Sequence, residues 1–176
     1  MNEGGTRGDQ PLVLVLCTGN AARSVMAGVM IEAHRAPVRV LTAGTHVVEF
    51  QPTSRRTRDA LVAAGLDASV HRSRQITDVD VDSADLVIAM ASEHVRYVRR
   101  RHARGSDRTA TLRWLVRHLP DGPQSLAERV ASMALGAVDP DVQGDVADPA
   151  GGDDAAYGAC VTDLSALVDA LVPRLR

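Results

Sequence analysis

The sequence predicts an α/β fold, a three-layer sandwich in which a four-stranded parallel sheet is flanked by helices. The uninterrupted apolar run Leu12 to Leu16, which follows Pro11, is typical of a strand buried on both faces. Strand-like and helix-like patterns then alternate along the chain, and such alternation implies parallel strands joined by crossing helices. In sheets of this kind ligands bind at the carboxyl ends of the strands, and Cys17 lies at that edge.

Each element is predicted from apolar spacing and from its flanking residues. Met26, Val29, Met30 and Ala33 recur at three- and four-residue intervals and predict a helix capped near Ser24. A second helix is capped by Thr53 or Ser54 and stopped by Gly65. The predicted strands are 12–16, 38–42, 86–90 and 109–112, and the predicted helices are 24–34, 53–64, 92–101 and 155–171, with a further helical pattern over 124–135.

The segment from Pro120 to Ala147 is the least readable part of the chain. Positions 136–147 are rich in Asp, Gly and Val. A loop of this length in a compact domain is usually functional or mobile. A lid, a substrate-recognition surface and simple disorder therefore remain open for this segment.

Composition indicates one small domain. The 176 residues are 45% hydrophobic and 24% charged, which suits a single core over 11–176 behind a disordered tail at 1–10. We expect no membrane partner, because no apolar run approaches the ~20 residues of a spanning helix. Cys17 and Cys160 are too few for a disulfide framework or a thiolate zinc cluster, and reduced thiols fit the cytoplasm.

The basic residues exclude several mechanisms and partners. All twenty are arginine, so a phosphate-binding loop that needs lysine and a Schiff-base lysine are both impossible. The run Arg99 to Arg101 fits either a patch for an acidic partner or a solvated helix face. The net charge of −2 favours the solvated face, and we expect no nucleic-acid partner. No two of the six histidines lie at the spacing of metal ligands, so neither a metal nor another cofactor is predicted.

A loop with the chemistry of an anion site follows the first strand. It reads Cys17-Thr18-Gly19-Asn20-Ala21-Ala22-Arg23-Ser24. Its main-chain N–H groups, at the start of a helix, would point inward and bind a phosphate. The planar guanidinium of Arg23 can grip two phosphoryl oxygens, and a helix N terminus beside a guanidinium favours the thiolate form of Cys17. Cys17 is therefore predicted to be a nucleophile, with the Ser24 hydroxyl directed at its sulfur.

The pattern Cys-x5-Arg-Ser after an apolar strand resembles the signature of the low-molecular-weight protein tyrosine phosphatases. The resemblance runs in order from about Leu12 to Leu171. It implies a strand order of 2-1-3-4 and a phosphocysteine intermediate. The further motifs that carry it are Thr42-Ala43-Gly44-Thr45, His71-Arg72-Ser73-Arg74-Gln75, Ala84 to Met90, and Asp148-Pro149 followed by Gly151-Gly152 and Tyr157.

The reaction also needs a proton donor, because an alkoxide or phenoxide leaves poorly. Asp148 is preferred for this role because a Gly-Gly pair and a helical pattern follow it, as in the family, while Asp139-Pro140 has the same local chemistry and remains the alternative. The resemblance also places Asn20 in a supporting network with Ser24, Thr42 and His71. Tyr157 either lines the pocket or anchors the last helix.

Departures from the family pattern leave the substrate open. Val25 and Gly28 replace a proline and a glutamate, and Ala150 replaces a residue that is often aromatic. Ala21 stands where tyrosine-directed members often have isoleucine and arginine phosphatases usually have threonine. The first expectation is a phosphatase acting on phosphotyrosine in proteins or on small phosphomonoesters. A protein arginine phosphatase and a catalytically weak phosphate-binding homologue are the alternatives, and the oligomeric state is left undetermined.

Overall fold

The computed structural model describes residues 10–176 and contains the predicted parallel sheet. All neighbouring strands pair in parallel, in the order β2-β1-β3-β4. The expected disordered tail lies outside the described residues, except for Gln10. The strands are β1 (Leu12–Cys17), β2 (Arg39–Gly44), β3 (Leu86–Ala89) and β4 (Thr109–Thr111).

Seven helices lie within the described residues, and short 3₁₀ turns connect several of them. Both strand partners of β1 continue into loops at the same carboxyl edge, where Cys17 pairs with Gly44. The helices are α1 (Arg23–Ala33), α2 (Arg55–Ala63), α3 (Asp78–Ser83), α4 (Ser92–Arg101), α5 (Leu112–His118), α6 (Leu126–Ser132) and α7 (Asp154–Leu171).

The two faces of the sheet bury separate clusters of side chains, as the period of two along a strand requires. Val13, Val15 and Cys17 of β1 face a large cluster that includes residues of α1, α5, α6 and α7. Leu14 and Leu16 point the other way, to a smaller cluster with α3 and α4. This arrangement is the three-layer sandwich expected from the sequence.

Some boundaries differ from the predicted ones. Helix α3 was not predicted, although Thr77 and Asp80 form a capping box at its start. Ser24 does not cap α1, because its hydroxyl bonds within the anion loop. Ala22 occupies the cap position and makes no side-chain hydrogen bond there. The fourth strand ends at Thr111, whose hydroxyl caps α5.

The segment 120–147 is packed against the sheet. The predicted helical pattern is α6, which begins after a capping box of Ser125 and Glu128. Beyond two 3₁₀ turns, the fully buried Gln143 side chain accepts a hydrogen bond from Thr111 N at 2.8 Å. Val146 N donates to Met90 O at 2.8 Å. These bonds fix the chain that leads to Asp148, so the segment is a strap across the end of β3 and β4.

Helix α7 corrects one expectation about membranes. Among the described residues, Asp154–Leu175 is long and apolar enough to cross a membrane by length and composition alone, although the sequence predicts no such run. Leu164, Val168 and Leu171 are fully buried and pack on the core, and α7 contacts α1, α2 and α5. Its apolar composition is explained by this central position in one helical layer.

Candidate active site

The anion loop connects β1 to α1 and holds the Cys17 sulfur at its base. Cys17 is the last residue of β1, and its Sγ lies 3.0 Å from Ser24 Oγ in the first turn of α1. Both side chains are almost completely buried. A hydroxyl at this distance can donate to a thiolate, which stabilises the anionic form of the sulfur.

Asn20 holds the loop in shape. It adopts a left-handed conformation, with φ of 50°, and is fully buried. Its side-chain Nδ2 donates to Ser24 Oγ and to Thr42 Oγ1, both at 3.0 Å, and its main-chain O accepts from His71 Nε2 at 2.8 Å. Burial lowers the pKa of His71, which favours a neutral ring with its proton on Nε2. The structure thus brings together all four residues of the expected network.

Two glycines are required beside the loop because the packing leaves no room for a side chain. A Cβ on Gly44 would lie 2.4 Å from Thr18 O and 2.9 Å from Asn20 N. A Cβ on Gly28 would lie 2.6 Å from the Thr42 methyl group. At Gly19, the glycine expected to allow close backbone curvature, an added Cβ would meet no protein atom within 4 Å.

Arg23 joins the loop to the predicted proton donor. Its side chain is only 4% exposed, and Nη2 donates to Asp148 Oδ2 at 2.5 Å. Nη1 donates to Val146 O at 3.2 Å, and Nη2 also approaches Thr18 Oγ1 at 3.5 Å. Asp148 is 45% exposed, so it lies at the mouth of the site with the guanidinium beneath it.

The alternative carboxylate does not reach the site. Asp139 caps a 3₁₀ turn by accepting from Asp141 N at 2.9 Å, and it does not line the cavity above Cys17. Asp148 does line that cavity, and its Oδ1 accepts from Ala150 N at 3.0 Å. The geometry therefore favours Asp148 over Asp139.

A cavity of about 310 Å³ opens above the sulfur. Tyr157 of α7 is its one aromatic wall, and the same side chain is largely buried, so it both lines the cavity and anchors the helix. Ser54, expected only as a helix cap, also borders the cavity. The lining residues are Cys17, Thr18, Gly19, Ala21, Ala22, Arg23, Ser54, Asp148, Ala150 and Tyr157.

His94 and Glu93 of α4 form a part of the site that sequence reasoning missed. His94 Nε2 lies 2.9 Å from Thr18 Oγ1, and Glu93 Oε1 lies 3.3 Å from the same oxygen. Burial, reinforced by the Arg23 charge, lowers the pKa of His94 to about 4. The only sequence signal was the position of these residues just after a strand that ends at the binding edge of the sheet.

The second cysteine and the other titratable groups add no metal site. Cys160 lies on α7 one helical turn after Tyr157, and burial raises the pKa of its thiol to about 11. Within residues 10–176, no group of three potential ligands lies close enough to hold a metal ion.

A buried sulfur, a loop that ends at the start of a helix, a fixed guanidinium and a carboxylate at the mouth together define a cysteine-dependent phosphatase site. The family comparison agrees: residues 12–127 match the model described as low molecular weight phosphotyrosine protein phosphatase. This chain belongs to that family.

Its relatives include enzymes named for two different substrates. A protein-arginine-phosphatase from Geobacillus stearothermophilus is 31% identical over 165 residues, which cover 93% of this chain and 95% of that protein. The probable low molecular weight protein-tyrosine-phosphatase EpsP of Ralstonia solanacearum is 32% identical over 90 residues, 51% of this chain and 62% of that protein.

Solved structures give the same division. The Geobacillus stearothermophilus arginine phosphatase superposes with a TM-score of 0.77 at 31% identity, over 94% of this chain and 92% of the other. A low molecular weight protein tyrosine phosphatase from T. tengcongensis gives a TM-score of 0.74 at 28% identity, over 93% of this chain and 99% of the other.

Proposed function

We propose that this protein hydrolyses phosphoarginine in proteins through a phosphocysteine intermediate. The observation that carries the proposal is the wall of the cavity, where Ala21, Ala22 and Ala150 stand with Tyr157 as the single aromatic residue. One aromatic contact adds about 0.5–1.5 kcal/mol beyond burial, and a phenyl ring would find only the one at Tyr157, with no second aromatic wall on the opposite side. The full-length similarity to a protein named as an arginine phosphatase supports the same substrate.

In the first half-reaction, Cys17 attacks phosphorus while the bond from phosphorus to the guanidino nitrogen breaks. The main-chain amides of residues 18–24 and the Arg23 fork bind the three equatorial oxygens, where charge spreads in the transition state. Asp148 donates a proton to the departing nitrogen, which takes the electron pair of the broken bond, so the arginine side chain leaves as its guanidinium.

In the second half-reaction, water attacks the phosphocysteine and the sulfur leaves. Asp148, now ionised, accepts the proton of the attacking water, so one carboxylate serves both steps. The Ser24 hydroxyl, 3.0 Å from the sulfur, stabilises the leaving thiolate. Before either step the incoming phosphate dianion must replace Asp148 as the partner of Arg23, because both bind the same guanidinium.

Paired peptides test the substrate. Phosphoarginyl and phosphotyrosyl peptides of otherwise identical sequence are compared by kcat/KM, and the proposal requires the phosphoarginyl peptide to be preferred. A preference for phosphotyrosine contradicts it. Ala21→Thr should raise the ratio of kcat/KM for the phosphoarginyl peptide to that for the phosphotyrosyl peptide several-fold, because its hydroxyl can accept a hydrogen bond from the guanidino N–H groups. Ala21→Ile should lower the same ratio, because its apolar side chain packs better against a phenyl ring.

Phosphotyrosine is the second candidate, and Tyr157 is the observation in its favour. An aryl substrate would stack on this ring, so Tyr157→Leu would reduce kcat/KM for the phosphotyrosyl peptide more than for the phosphoarginyl one. Equal losses would remove this support for an aryl substrate.

The role of Asp148 has a matched control in Asp139. Asp148→Asn should lower kcat by about 10²–10⁴-fold, and p-nitrophenyl phosphate should also be hydrolysed more slowly, because the carboxylate serves the second half-reaction that all substrates share. Asp139→Asn should leave kcat unchanged, because Asp139 only caps a turn. Equal effects of the two substitutions would contradict the assignment.

The Cys17→Ala variant should have no turnover and should still bind inorganic phosphate, as measured by calorimetry.

A further inference from the structure

We propose that His94 is a positioning residue that orients the Arg23 guanidinium through the hydroxyl group of Thr18. The inference rests on the phosphocysteine chemistry proposed above. It concerns a residue of α4 that lies 76 positions from the loop in sequence and makes a direct contact with it.

The Thr18 hydroxyl is the meeting point of three charged or polar groups. Its oxygen lies 2.9 Å from His94 Nε2, 3.3 Å from Glu93 Oε1 and 3.5 Å from Arg23 Nη2. A hydroxyl has one hydrogen to donate and two lone pairs to accept with. Arg23 can only donate and the Glu93 carboxylate can only accept, so the Thr18 hydrogen goes to Glu93 and its oxygen accepts from Arg23.

These constraints also fix the proton on His94. Nε2 lies 3.3 Å from Glu93 Oε1. Without a proton on Nε2, these two atoms would be acceptors facing each other, and both would compete for the hydrogen of the Thr18 hydroxyl. A proton on Nε2 removes this conflict and satisfies the second lone pair of Thr18. Nδ1 has no hydrogen-bond partner in the described part of the chain, and the ring is 1% exposed, so a neutral ring with a bare Nδ1 is the form that fits.

His94 matters to Arg23 because the guanidinium keeps few hydrogen-bond partners in the protein when substrate binds. In the resting structure the guanidinium has Asp148, Val146 O and Thr18 Oγ1 as partners. Once phosphate displaces Asp148, only Val146 O and Thr18 hold the fork at its angle. Without the His94 donor, the Thr18 hydroxyl can rotate away from Arg23, and the fork loses one of its two anchors.

A misoriented Arg23 guanidinium should affect kcat more than KM, because its hydrogen bonds to the equatorial oxygens of the phosphoryl group strengthen in the transition state. With p-nitrophenyl phosphate, His94→Leu should lower kcat roughly 10- to 100-fold while KM changes less than about threefold. His94→Gln, whose amide can donate from a similar position, should stay within about threefold of the wild type. A purely structural role would give no such split and no rescue by glutamine.

Coupling between the residues gives a second readout. Thr18→Val removes the hydroxyl with little change in shape, and it should lower kcat about as much as His94→Leu does. The double variant should be no slower than Thr18→Val alone, because both changes break the same connection. In an Arg23→Lys background, which lacks the fork, His94→Leu should change kcat little.

Multiplicative losses in the double variant, or equal losses for leucine and glutamine at position 94, would overturn the inference. Absence of turnover in the wild-type protein would instead contradict the proposed function. In that event, the same variants are compared by their affinity for inorganic phosphate. His94→Leu and Thr18→Val should then weaken phosphate binding without adding to each other, and additive weakening would overturn the inference.

Discussion

Thr18 and Arg23 of the anion loop each bond a residue far away in sequence, Thr18 to His94 and Arg23 to Asp148. Cys17 and Arg23 could be predicted because their roles follow from a local pattern, a strand, a loop and a helix in succession. His94 could not be predicted, because its contact with Thr18 depends on how β3 packs beside β1 and where α4 then begins. Ser54 could be predicted as a helix cap, but its position beside the cavity could be found only from the folded structure.

His94 should make the protein lose stability as the pH falls. Burial lowers its pKa to about 4 in the folded chain, whereas an unfolded histidine titrates near ~6.5. Between these values only the unfolded chain takes up the proton, so the free energy of unfolding decreases with falling pH, by at most about 3 kcal/mol at pH 4. Above about pH 6.5 this loss is absent.

The measurement is urea unfolding of the wild type and His94→Gln at pH 7 and pH 4.5. The wild type should lose more stability between the two conditions than the variant does. The pKa of His71 is also lowered by burial, but this residue is present in both proteins and cancels in the comparison. An equal loss in the two proteins would contradict the expectation.

At the scale of elements, the sequence predicted what depends on apolar periodicity and missed what depends on polar side chains. The strands and the long helices follow from buried residues at regular spacing. Helix α3, with the sequence DVDVDS, has poor helix formers and exists because of the Thr77 and Asp80 capping box. The last part of the strap, positions 136–147, has no periodicity, and Gln143 and Val146 hold it through hydrogen bonds to Thr111 of β4 and to Met90 just after β3.

Helix α2 should link stability to activity through its first residues. The Ser54 hydroxyl accepts from Thr57 N at 3.2 Å and donates to Thr57 Oγ1, which in turn donates to Ala21 O of the anion loop at 2.9 Å. Ser54→Ala should cost about 1 kcal/mol of stability. It should also lower kcat/KM roughly threefold or more by loosening the loop.

Ser125 provides the control, because it caps α6 in the same way and does not line the cavity. Ser125→Ala should cost a similar amount of stability in chemical denaturation and leave kcat/KM unchanged. If both substitutions change kcat/KM alike, the connection from α2 to the loop is not functional.

Gly151 should be required in the turn after Asp148 for its backbone conformation alone. Its φ is 81° and an added Cβ would meet no atom, which is also true of Gly65, with φ of 75°, after α2. Alanine at either position should cost about 1–2 kcal/mol in thermal or chemical unfolding. Gly151→Ala should also lower kcat, because relief of the strain moves Asp148, whereas Gly65→Ala should not.

Across the whole molecule, the two cysteines lie in opposite chemical environments. Cys17 lines the cavity, and Cys160 is a buried residue of α7 with the pKa of its thiol raised to about 11. Iodoacetamide at pH 7 should therefore modify one cysteine per native chain, Cys17, and inorganic phosphate should protect it.

Mass spectrometry of digested protein identifies the modified position. Unfolding the protein in urea should expose Cys160 and give a second modification. Modification of Cys160 in the native protein, or the absence of phosphate protection at Cys17, would contradict the environment described for each thiol.

The bond between Arg23 and Asp148 carries a consequence for which compounds the protein can admit. Because Asp148 already neutralises the Arg23 guanidinium, a ligand must carry more negative charge than the carboxylate that it displaces. A monoester dianion does so with one charge to spare, while a diester with a single charge only exchanges one ion pair for another. We therefore expect phosphodiesters to bind more weakly than monoesters, even before any contact with the sulfur.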